Sequence, residues 1–226
     1  MSSQGFTYAV DLVLVIDATG SMGGTIDSVK KGALRFHDEL VEVMAKKDKH
    51  VDELRVRVVV FRDYYAGDDE PLLASEFFAL PEEQERYARF VASIVATGGG
   101  DEPENSLEAL VEAMRSAWTN SGTKRRHVIV MWTDASSHPV EKNAGRKPAN
   151  YPSGIPADFD ALTDLWEGQE LMDPNAKRLV LFAPDAYAWT DISNHWESVL
   201  HYASNAGAGL SDIDYGTILE SIANSI

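Results

Sequence analysis

The sequence contains no cysteine. Its absence excludes disulfide bonds, thiolate metal sites and a cysteine nucleophile. It is also compatible with a reducing compartment, and we therefore expect a cytoplasmic location.

Long apolar runs are missing as well. No segment approaches the ~18 consecutive apolar residues of a membrane-spanning helix, so the sequence predicts no membrane span. The amino-terminal segment MSSQGFTYAV lacks the basic region and apolar core of a secretory signal, and we expect none.

Positive charge is scarce. The chain has 20 Lys and Arg residues against 36 Asp and Glu residues, which gives a formal net charge of −16. Such a field repels phosphate backbones, so nucleic acid is not an expected partner. It favours cations, including divalent metal ions, although composition alone is explained better by an acidic surface that only keeps the protein soluble.

The residues that are present indicate an α/β fold. The 226 residues, 44% of them hydrophobic, suit one domain over residues 1–226. Strand and helix patterns alternate, and the nearly continuous apolar strands imply a sheet covered on both faces. We predict a doubly wound, mostly parallel central sheet with helices on both faces and one antiparallel edge strand, a Rossmann-like architecture. The predicted strands are 9–16, 54–61, 75–80 (the antiparallel edge), 127–132 and 178–183, and the predicted helices are 26–43, 82–95, 104–118, 158–171 and 215–225.

Oxygen-bearing side chains gather in three loops beside these predicted elements. In an open parallel sheet, sites form beyond the carboxyl ends of the strands, so loops far apart in sequence converge there. The residues concerned are Asp17, Thr19 and Ser21 after the first strand, Thr97 and Asp101 before the third helix, and Thr133 and Asp134 after strand 127–132.

The chemistry of these loops suits a hard cation, since they offer carboxylate and hydroxyl oxygens. Alternation within DATGS places Asp17, Thr19 and Ser21 on one side of an extended segment. Each loop alone has a simpler interpretation: an Asp at a strand end forms turns, Ser21 and Thr25 cap helices, and TGGG is a flexible loop. The three loops together, in this order, indicate a metal site.

The segments DLVLVIDATGSMGGTI, TGGGDEPENSLEAL and VIVMWTDASSHP resemble the three segments of a von Willebrand factor A domain with a metal-ion-dependent adhesion site. The resemblance covers essentially the whole chain, and VFRDYY and TGGGDEPE look most like the bacterial and alpha-kinase-associated branch. The family's first motif is usually Asp-x-Ser-x-Ser. Here Thr19 stands at the middle position, which keeps the hydroxyl.

The resemblance implies roles for individual residues. Thr19 and Ser21 would bind the ion through their hydroxyls, and Thr97 would bind it directly or through water. Asp17 and Asp134 would hold the ion's waters and orient the hydroxyls. The implied ion is Mg²⁺, with Mn²⁺ or Ca²⁺ as alternatives. Asp101 would brace the glycine loop or cap the helix that follows it.

The implied function is metal-dependent binding of another protein, as an adhesion or scaffolding module without catalytic activity. A Glu or Asp of the partner would fill an open position on the ion. The loops 62–73, 135–157 and 184–196 would set specificity. The resemblance also suggests a partner system that contains an ATPase, a kinase or a phosphatase.

Further residues near the predicted site have both functional and structural interpretations. Asp63, at the end of strand 54–61, lies near the site or is only a turn residue. His138 contacts a partner or is an ordinary loop residue. Trp189 and Trp196 are interface anchors or pack against the sheet. The basic segment KRRH (124–127) is expected to precede its strand, at the opposite end of the sheet.

The competing hypothesis is a magnesium-dependent phosphoryl-transfer hydrolase with Asp17 as nucleophile. That mechanism needs a second carboxylate two residues later, where this chain has Thr19. It also needs a basic residue, usually Lys, near the phosphate, and none closely follows the second or third loop. An aspartic protease would need two Asp-Thr/Ser-Gly turns in a β-rich chain, and this sequence has neither feature. A single glycine run such as TGGG is weak evidence for a nucleotide-binding loop.

Overall fold

The computed structural model describes residues 7–204, except 48–49, 68, 101, 142–146 and 169, together with residues 220 and 223. Asp101 and, apart from Glu220 and Ala223, the predicted helix 215–225 therefore lie outside the described residues. Among the described residues, the helices are too short or too polar to cross a membrane.

The architecture is the predicted mostly parallel sheet between helices. The described strands follow the order β3-β2-β1-β5-β6-β7, with β4 also paired to β2. The strands β1, β2, β5, β6 and β7 are mutually parallel, whereas β3 and β4 run antiparallel to β2. The strands are β1 (Tyr8–Asp17), β2 (Glu53–Phe61), β3 (Leu72–Ala74), β4 (Phe78–Leu80), β5 (Lys124–Trp132), β6 (Lys177–Pro184) and β7 (Val199–Ser204).

Two apolar cores lie on the two faces of the sheet, because successive side chains of a strand point to opposite faces. Leu12, Leu14 and Ile16 of β1 belong to the core that also contains Leu40 and Met44. Val13 and Val15 face the other core, which contains the buried side of α3, Leu162 and Trp189. The helices are α1 (Ile26–Lys46), α2 (Gln84–Ser93), α3 (Ser106–Met114), α4 (Phe159–Glu167) and α5 (Trp189–His195), and a 3₁₀ turn covers Gly20–Gly24.

The antiparallel edge differs from the single strand predicted for residues 75–80. Two short strands, β3 and β4, flank Ser75. The Ser75 side-chain oxygen accepts a hydrogen bond from Val58 N at 3.0 Å, and the Ser75 carbonyl accepts one from Arg57 Nε at 2.8 Å. One backbone bond remains here, from Ser75 N to the Val58 carbonyl at 2.9 Å, and the side-chain bonds take the other positions, so the edge pairs with β2 as two segments.

Two elements were missed, and one predicted loop needs correction. Strand β7 and helix α5 were not predicted; the side chains of β7 are half-buried or exposed, so its sequence carries no continuous apolar signal. The segment KRRH forms the start of β5 instead of a preceding loop, and Lys124 pairs with Tyr8 of β1. Its residues still lie at the amino end of the sheet, as expected.

Candidate metal centre

A chain of hydrogen bonds at the carboxyl edge of the sheet begins at Asp17, the last residue of β1. Asp17 Oδ1 accepts hydrogen bonds from Thr19 N at 2.9 Å and from Thr19 Oγ1 at 2.6 Å. Asp17 Oδ2 accepts one from Thr133 Oγ1 at 2.7 Å. Asp17 is fully buried, and this burial raises its pKa to about 6, against the opposing effect of the Thr19 and Thr133 hydrogen bonds.

The chain continues from Thr19 to the third loop. Thr19 Oγ1 lies 3.1 Å from Ser21 Oγ, which donates to Asp134 Oδ1 at 3.0 Å. Thr19 and Asp134 are buried, whereas Ser21 is exposed. The cluster therefore opens to solvent on the Ser21 side.

One carboxylate oxygen of the cluster lacks a hydrogen-bond partner among the described residues. Asp134 Oδ2 is buried and makes no hydrogen bond to any described residue. Leaving a buried carboxylate oxygen without a partner is costly, so a cation or an ordered water at this point would relieve the cost. Two carboxylates and two hydroxyls that converge on one opening are a donor set that fits a hard cation such as Mg²⁺.

Backbone hydrogen bonds fix the loop that carries Thr19. Ala18 N donates to the Phe61 carbonyl at 3.0 Å, and Ala18 O accepts from Thr97 N at 2.9 Å. Gly20 N donates to the Gly98 carbonyl at 3.0 Å. The first loop is thus held between the end of β2 and the glycine segment, as the convergence of the loops predicted.

Thr97 occupies a different position from the other predicted ligands. Its backbone joins the first loop, but its side chain is exposed and lines a depression together with Arg62, Asp69 and Glu70. The structure therefore groups the side chains of Asp17, Thr19, Ser21 and Asp134 and leaves that of Thr97 outside their hydrogen-bond chain.

Asp63 and His138 form a neighbouring group. Asp63 Oδ1 accepts a hydrogen bond from Tyr65 N at 2.7 Å and lies 3.6 Å from His138 Nε2. Both side chains are buried, and the ring of His138 meets the ring of Tyr65 edge-on, with centroids 5.1 Å apart. These contacts tie the loop after β2 to the loop after β5 and give both residues a structural role beside the cluster.

The sequence interpretation did not assign roles to Thr133 and Glu104. Thr133 was recognised as part of the third loop, and its hydroxyl bonds Asp17 directly. Glu104 is buried next to Thr19 and Gly99. The only sequence signal for Glu104 was the density of acidic residues in DEPE, which does not distinguish a buried carboxylate from its exposed neighbours.

Trp189 and Trp196 pack inside the protein. Trp189 is fully buried and its Nε1 donates to the Ala135 carbonyl at 2.9 Å. Trp196 donates to Thr163 Oγ1 at 2.8 Å and stacks on Trp166 with centroids 5.5 Å apart. Trp189 therefore fixes the loop that follows Asp134 through its hydrogen bond to the Ala135 carbonyl.

Among the described residues, His, Cys, Asp and Glu side chains do not form any group of three that could hold a metal by itself. Hydroxyl groups would therefore have to complete a metal centre at this edge. The arrangement of Asp17 and Asp134 around Thr19 and Ser21 has this composition.

Comparisons with known proteins agree with the fold. A family model described as von Willebrand factor A domain matches residues 11–145. The alpha-protein kinase vwkA of Dictyostelium discoideum is 27% identical over 158 residues, which are 69% of this chain and 23% of the kinase. The chain thus spans less than a quarter of the length of that relative.

Solved structures show similar folds at low sequence identity. The pilus adhesin SpaC from Lactobacillus rhamnosus GG is similar with a TM-score of 0.57 and 11% identity, over 98% of this chain and 31% of the adhesin. Proximal thread matrix protein 1 from the mussel byssus is similar with a TM-score of 0.51 and 12% identity, over 96% of this chain and 46% of that protein.

Proposed function

The chain belongs to the von Willebrand factor A domain family, and from this premise we propose that it is a metal-dependent protein-binding module. Its metal-ion-dependent adhesion site would capture an acidic residue of a partner protein. We propose that residues 1–226 form a single such domain, and the sheet of the described strands, from Tyr8 to Ser204, supports this.

The observation that carries the proposal is the geometry of Asp134. Its Oδ1 is held by exposed Ser21, whereas its buried Oδ2 has no hydrogen-bond partner among the described residues. The large majority of buried side-chain oxygens in folded proteins have at least one hydrogen-bond partner. An oxygen left open beside two hydroxyls is what a cation site needs.

The residues that would hold the ion are Asp17, Thr19, Ser21 and Asp134, with Thr97 as a further proposed ligand through water. When bound, Mg²⁺, or Mn²⁺ or Ca²⁺ in its place, supplies an electrophilic position for an anionic oxygen. Thr19 and Ser21 contribute neutral oxygens, so that they do not cancel the charge of the ion. Asp17 and Asp134 orient these hydroxyls by accepting their hydrogen bonds.

The partner would present a Glu or Asp at the Ser21 side, where the cluster opens. The neighbouring loops 62–73, 135–157 and 184–196 would choose among partners. The likeness to an alpha-protein kinase supports a partner system that contains a kinase, and an ATPase or a phosphatase is the alternative that the family resemblance suggests. The pilus adhesin and byssus protein share the fold and support no particular partner.

The hydrolase alternative gains no support from the position of Asp17. A nucleophilic carboxylate must reach the phosphorus atom, but Asp17 is fully buried and both of its oxygens accept hydrogen bonds. The position of the general acid is occupied by Thr19. We propose that the domain itself is not an enzyme.

The test is capture of partners from cell extract on the immobilised chain, in buffer with Mg²⁺ and in buffer with EDTA. A true partner should bind only with the metal, and Asp17→Ala and Asp134→Ala should each abolish its binding. Glu85→Ala, a change at an exposed position on α2, is the matched control and should bind normally. Binding that survives EDTA and both site changes would reject the metal-dependent function.

A further inference from the structure

The carboxylate of Glu104 lies beside the candidate metal centre. Glu104 is buried, with 4% of its surface exposed. A side-chain carbon added at Gly99 would lie 2.9 Å from Glu104 Oε1 and 2.9 Å from Thr19 Cβ. Glu104 and Thr19 therefore flank the same glycine, and Thr19 presents its Cβ and, at 3.0 Å, its methyl Cγ2 to that position.

The backbone of Glu104 is fixed in this position. Glu104 N donates to the Ser136 carbonyl at 3.0 Å, and the Glu104 carbonyl accepts from His138 N at 2.8 Å. The two bonds make a short parallel bridge between the second and third loops. Gly99, with φ of +73°, brings the glycine segment close enough to enclose the carboxylate.

From this placement we propose that Glu104 is a third anionic group of the metal centre, which acts on the ion without direct contact. The inference rests on the proposed function, because it concerns the same ion. Among the described residues, His, Cys, Asp and Glu side chains form no group of three that could hold a metal directly, so the proposed action is through a bound water. Hard cations such as Mg²⁺ keep several waters, so an outer carboxylate has groups to bind.

The charge of Glu104 distinguishes this centre from one built on Asp17 and Asp134 alone. Two carboxylates balance a divalent ion, whereas a third makes the empty centre more negative than the ion is positive. Because this carboxylate is buried, water and salt screen it little. The centre should therefore hold its ion tightly without a partner, and it should favour ions of higher charge at equal size.

The test compares Glu104→Gln with wild type for two ions of similar radius, Ca²⁺ and Tb³⁺, by titration calorimetry. Glutamine keeps the shape of the side chain and removes the charge. Loss of an outer carboxylate typically weakens metal binding about 10- to 100-fold. Since the Coulomb energy is proportional to the ion's charge, a 10-fold loss for Ca²⁺ should become a loss of about 30-fold for Tb³⁺.

Glu102→Gln is the matched control. Glu102 lies two residues away in the same loop but is exposed, and its Oε1 accepts a hydrogen bond from Ser136 N at 2.7 Å, which a glutamine oxygen can also accept. Its substitution should change both affinities less than about threefold, since exposed charges are screened. The thermal midpoint of each variant in EDTA reports whether the fold is intact. Should Glu104→Gln fail to fold, Glu104→Asp withdraws the charge by one methylene and should weaken Tb³⁺ binding more than Ca²⁺ binding.

The outcomes separate the two proposals. Wild type that binds both ions, with a larger loss for Tb³⁺ in Glu104→Gln, supports the role of Glu104. Wild type that binds both ions, with unchanged or equal losses in Glu104→Gln, overturns that role and leaves the metal centre standing. Unchanged affinities or equal losses in Glu104→Asp overturn it equally. Wild type that binds neither ion overturns this inference, and wild type that also fails to bind Mg²⁺ overturns the proposed function with it.

Discussion

At the scale of single residues, Asp17 combines burial with three hydrogen bonds. Burial penalises its charge, and the bonds from Thr19 and Thr133 recover only part of the cost, which is why its pKa lies near 6. A residue kept at such a cost contributes something other than stability. In the proposed site, that contribution is the negative charge that holds the ion and its waters.

Asp17→Asn should therefore abolish the heat of Mg²⁺ binding in calorimetry, because the amide has no charge. Thr19→Ser should bind Mg²⁺ with nearly wild-type affinity, because the hydroxyl remains. In EDTA the thermal midpoint of Asp17→Asn should equal or exceed that of wild type, since a buried charge is removed. Equal Mg²⁺ affinity in wild type and Asp17→Asn would contradict the assignment of the site.

Glu108 of α3 is another buried carboxylate with a raised pKa. Its Oε1 accepts hydrogen bonds from Asn105 Nδ2, at 2.9 Å, and from the Tyr151 hydroxyl. Its Oε2 has no hydrogen-bond partner among the described residues. Burial raises the pKa of Glu108 above the ordinary range, so the ionised form costs stability in the folded protein.

Glu108→Gln should therefore stabilise the protein at neutral and alkaline pH. A raised folded pKa means that the wild type regains stability as pH falls through that pKa, whereas the glutamine variant has no such term. The difference in thermal midpoint should be largest near pH 8 and should shrink toward about pH 4, where the wild-type carboxyl is protonated in both states. A difference that stays constant with pH would show that the charge of Glu108 is not its cause.

At the scale of elements, the glycines of the first and second loops serve different purposes. Gly99 has a positive φ, and a side chain there would meet Glu104 and Thr19. Gly23 and Gly24 have open space where a side chain would be added. Of these three glycines, only Gly99 is required for the close approach of the two loops.

Gly99→Ala should destabilise the protein by about 2–4 kcal/mol, from left-handed backbone strain and the clash with Thr19. It should also weaken Mg²⁺ binding, since Thr19 must move. Gly23→Ala and Gly24→Ala are the matched controls and should leave stability unchanged or raise it by about 0.5–1 kcal/mol. Chemical denaturation and calorimetry measure the two effects. Equal tolerance at all three positions would contradict the loop packing described above.

The amino ends of the strands are joined by a buried ion pair far from the proposed site. Asp11 of β1 accepts two hydrogen bonds from Arg55 of β2, at 2.8 and 2.6 Å, and one from Thr119 N at 2.6 Å. The guanidinium also lies 4.5 Å from the centre of the Phe77 ring. The pair connects β1, β2 and the segment that leads into β5.

Asp11→Ala should cost about 2–3 kcal/mol, because a buried partner is lost while Arg55 remains partly exposed to water. That corresponds to a decrease of roughly 5–10 °C in the thermal midpoint. The Mg²⁺ affinity of the folded protein should not change. Glu42→Ala, which removes an exposed pair with Lys46 on α1, should leave the midpoint unchanged. A drop in metal affinity would mean that the two ends of the sheet are coupled.

At the scale of the whole molecule, the net charge of −16 selects among partners. It attracts cations and slows the approach of acidic proteins. A partner should therefore present its single carboxylate on a neutral or basic face.

For such a partner with a basic face, the association rate should fall about tenfold between 50 and 300 mM NaCl, while the dissociation rate changes little. Stopped-flow or surface-based kinetics in constant Mg²⁺ measure both rates. Replacing the partner's carboxylate by Ala should raise the dissociation rate instead. An association rate that rises with salt would indicate an acidic partner and contradict this description.

The sequence alone determined the parts of the protein that depend on local pattern. The buried strands β1, β2, β5 and β6 were found because their apolar residues are nearly continuous, and their alternation with helices implied a parallel sheet. The convergence of Asp17, Thr19, Ser21 and Asp134 followed from one rule, that parallel strands end at the same edge. The acidic charge and the absence of cysteine needed no structure at all.

Tertiary structure decided what depends on contacts between distant segments. The split of the edge at Ser75 and the presence of β7 arise from hydrogen bonds to neighbouring strands, which leave no apolar pattern in the sequence. Thr97 and Glu104 lie only seven positions apart in one loop, yet Gly99 and the bridge to Ser136 and His138 bury the carboxylate beside Thr19 while the hydroxyl faces solvent. Which way a loop side chain points is set by the backbone conformation and by the partners that enclose it, and neither is encoded in residue type or spacing.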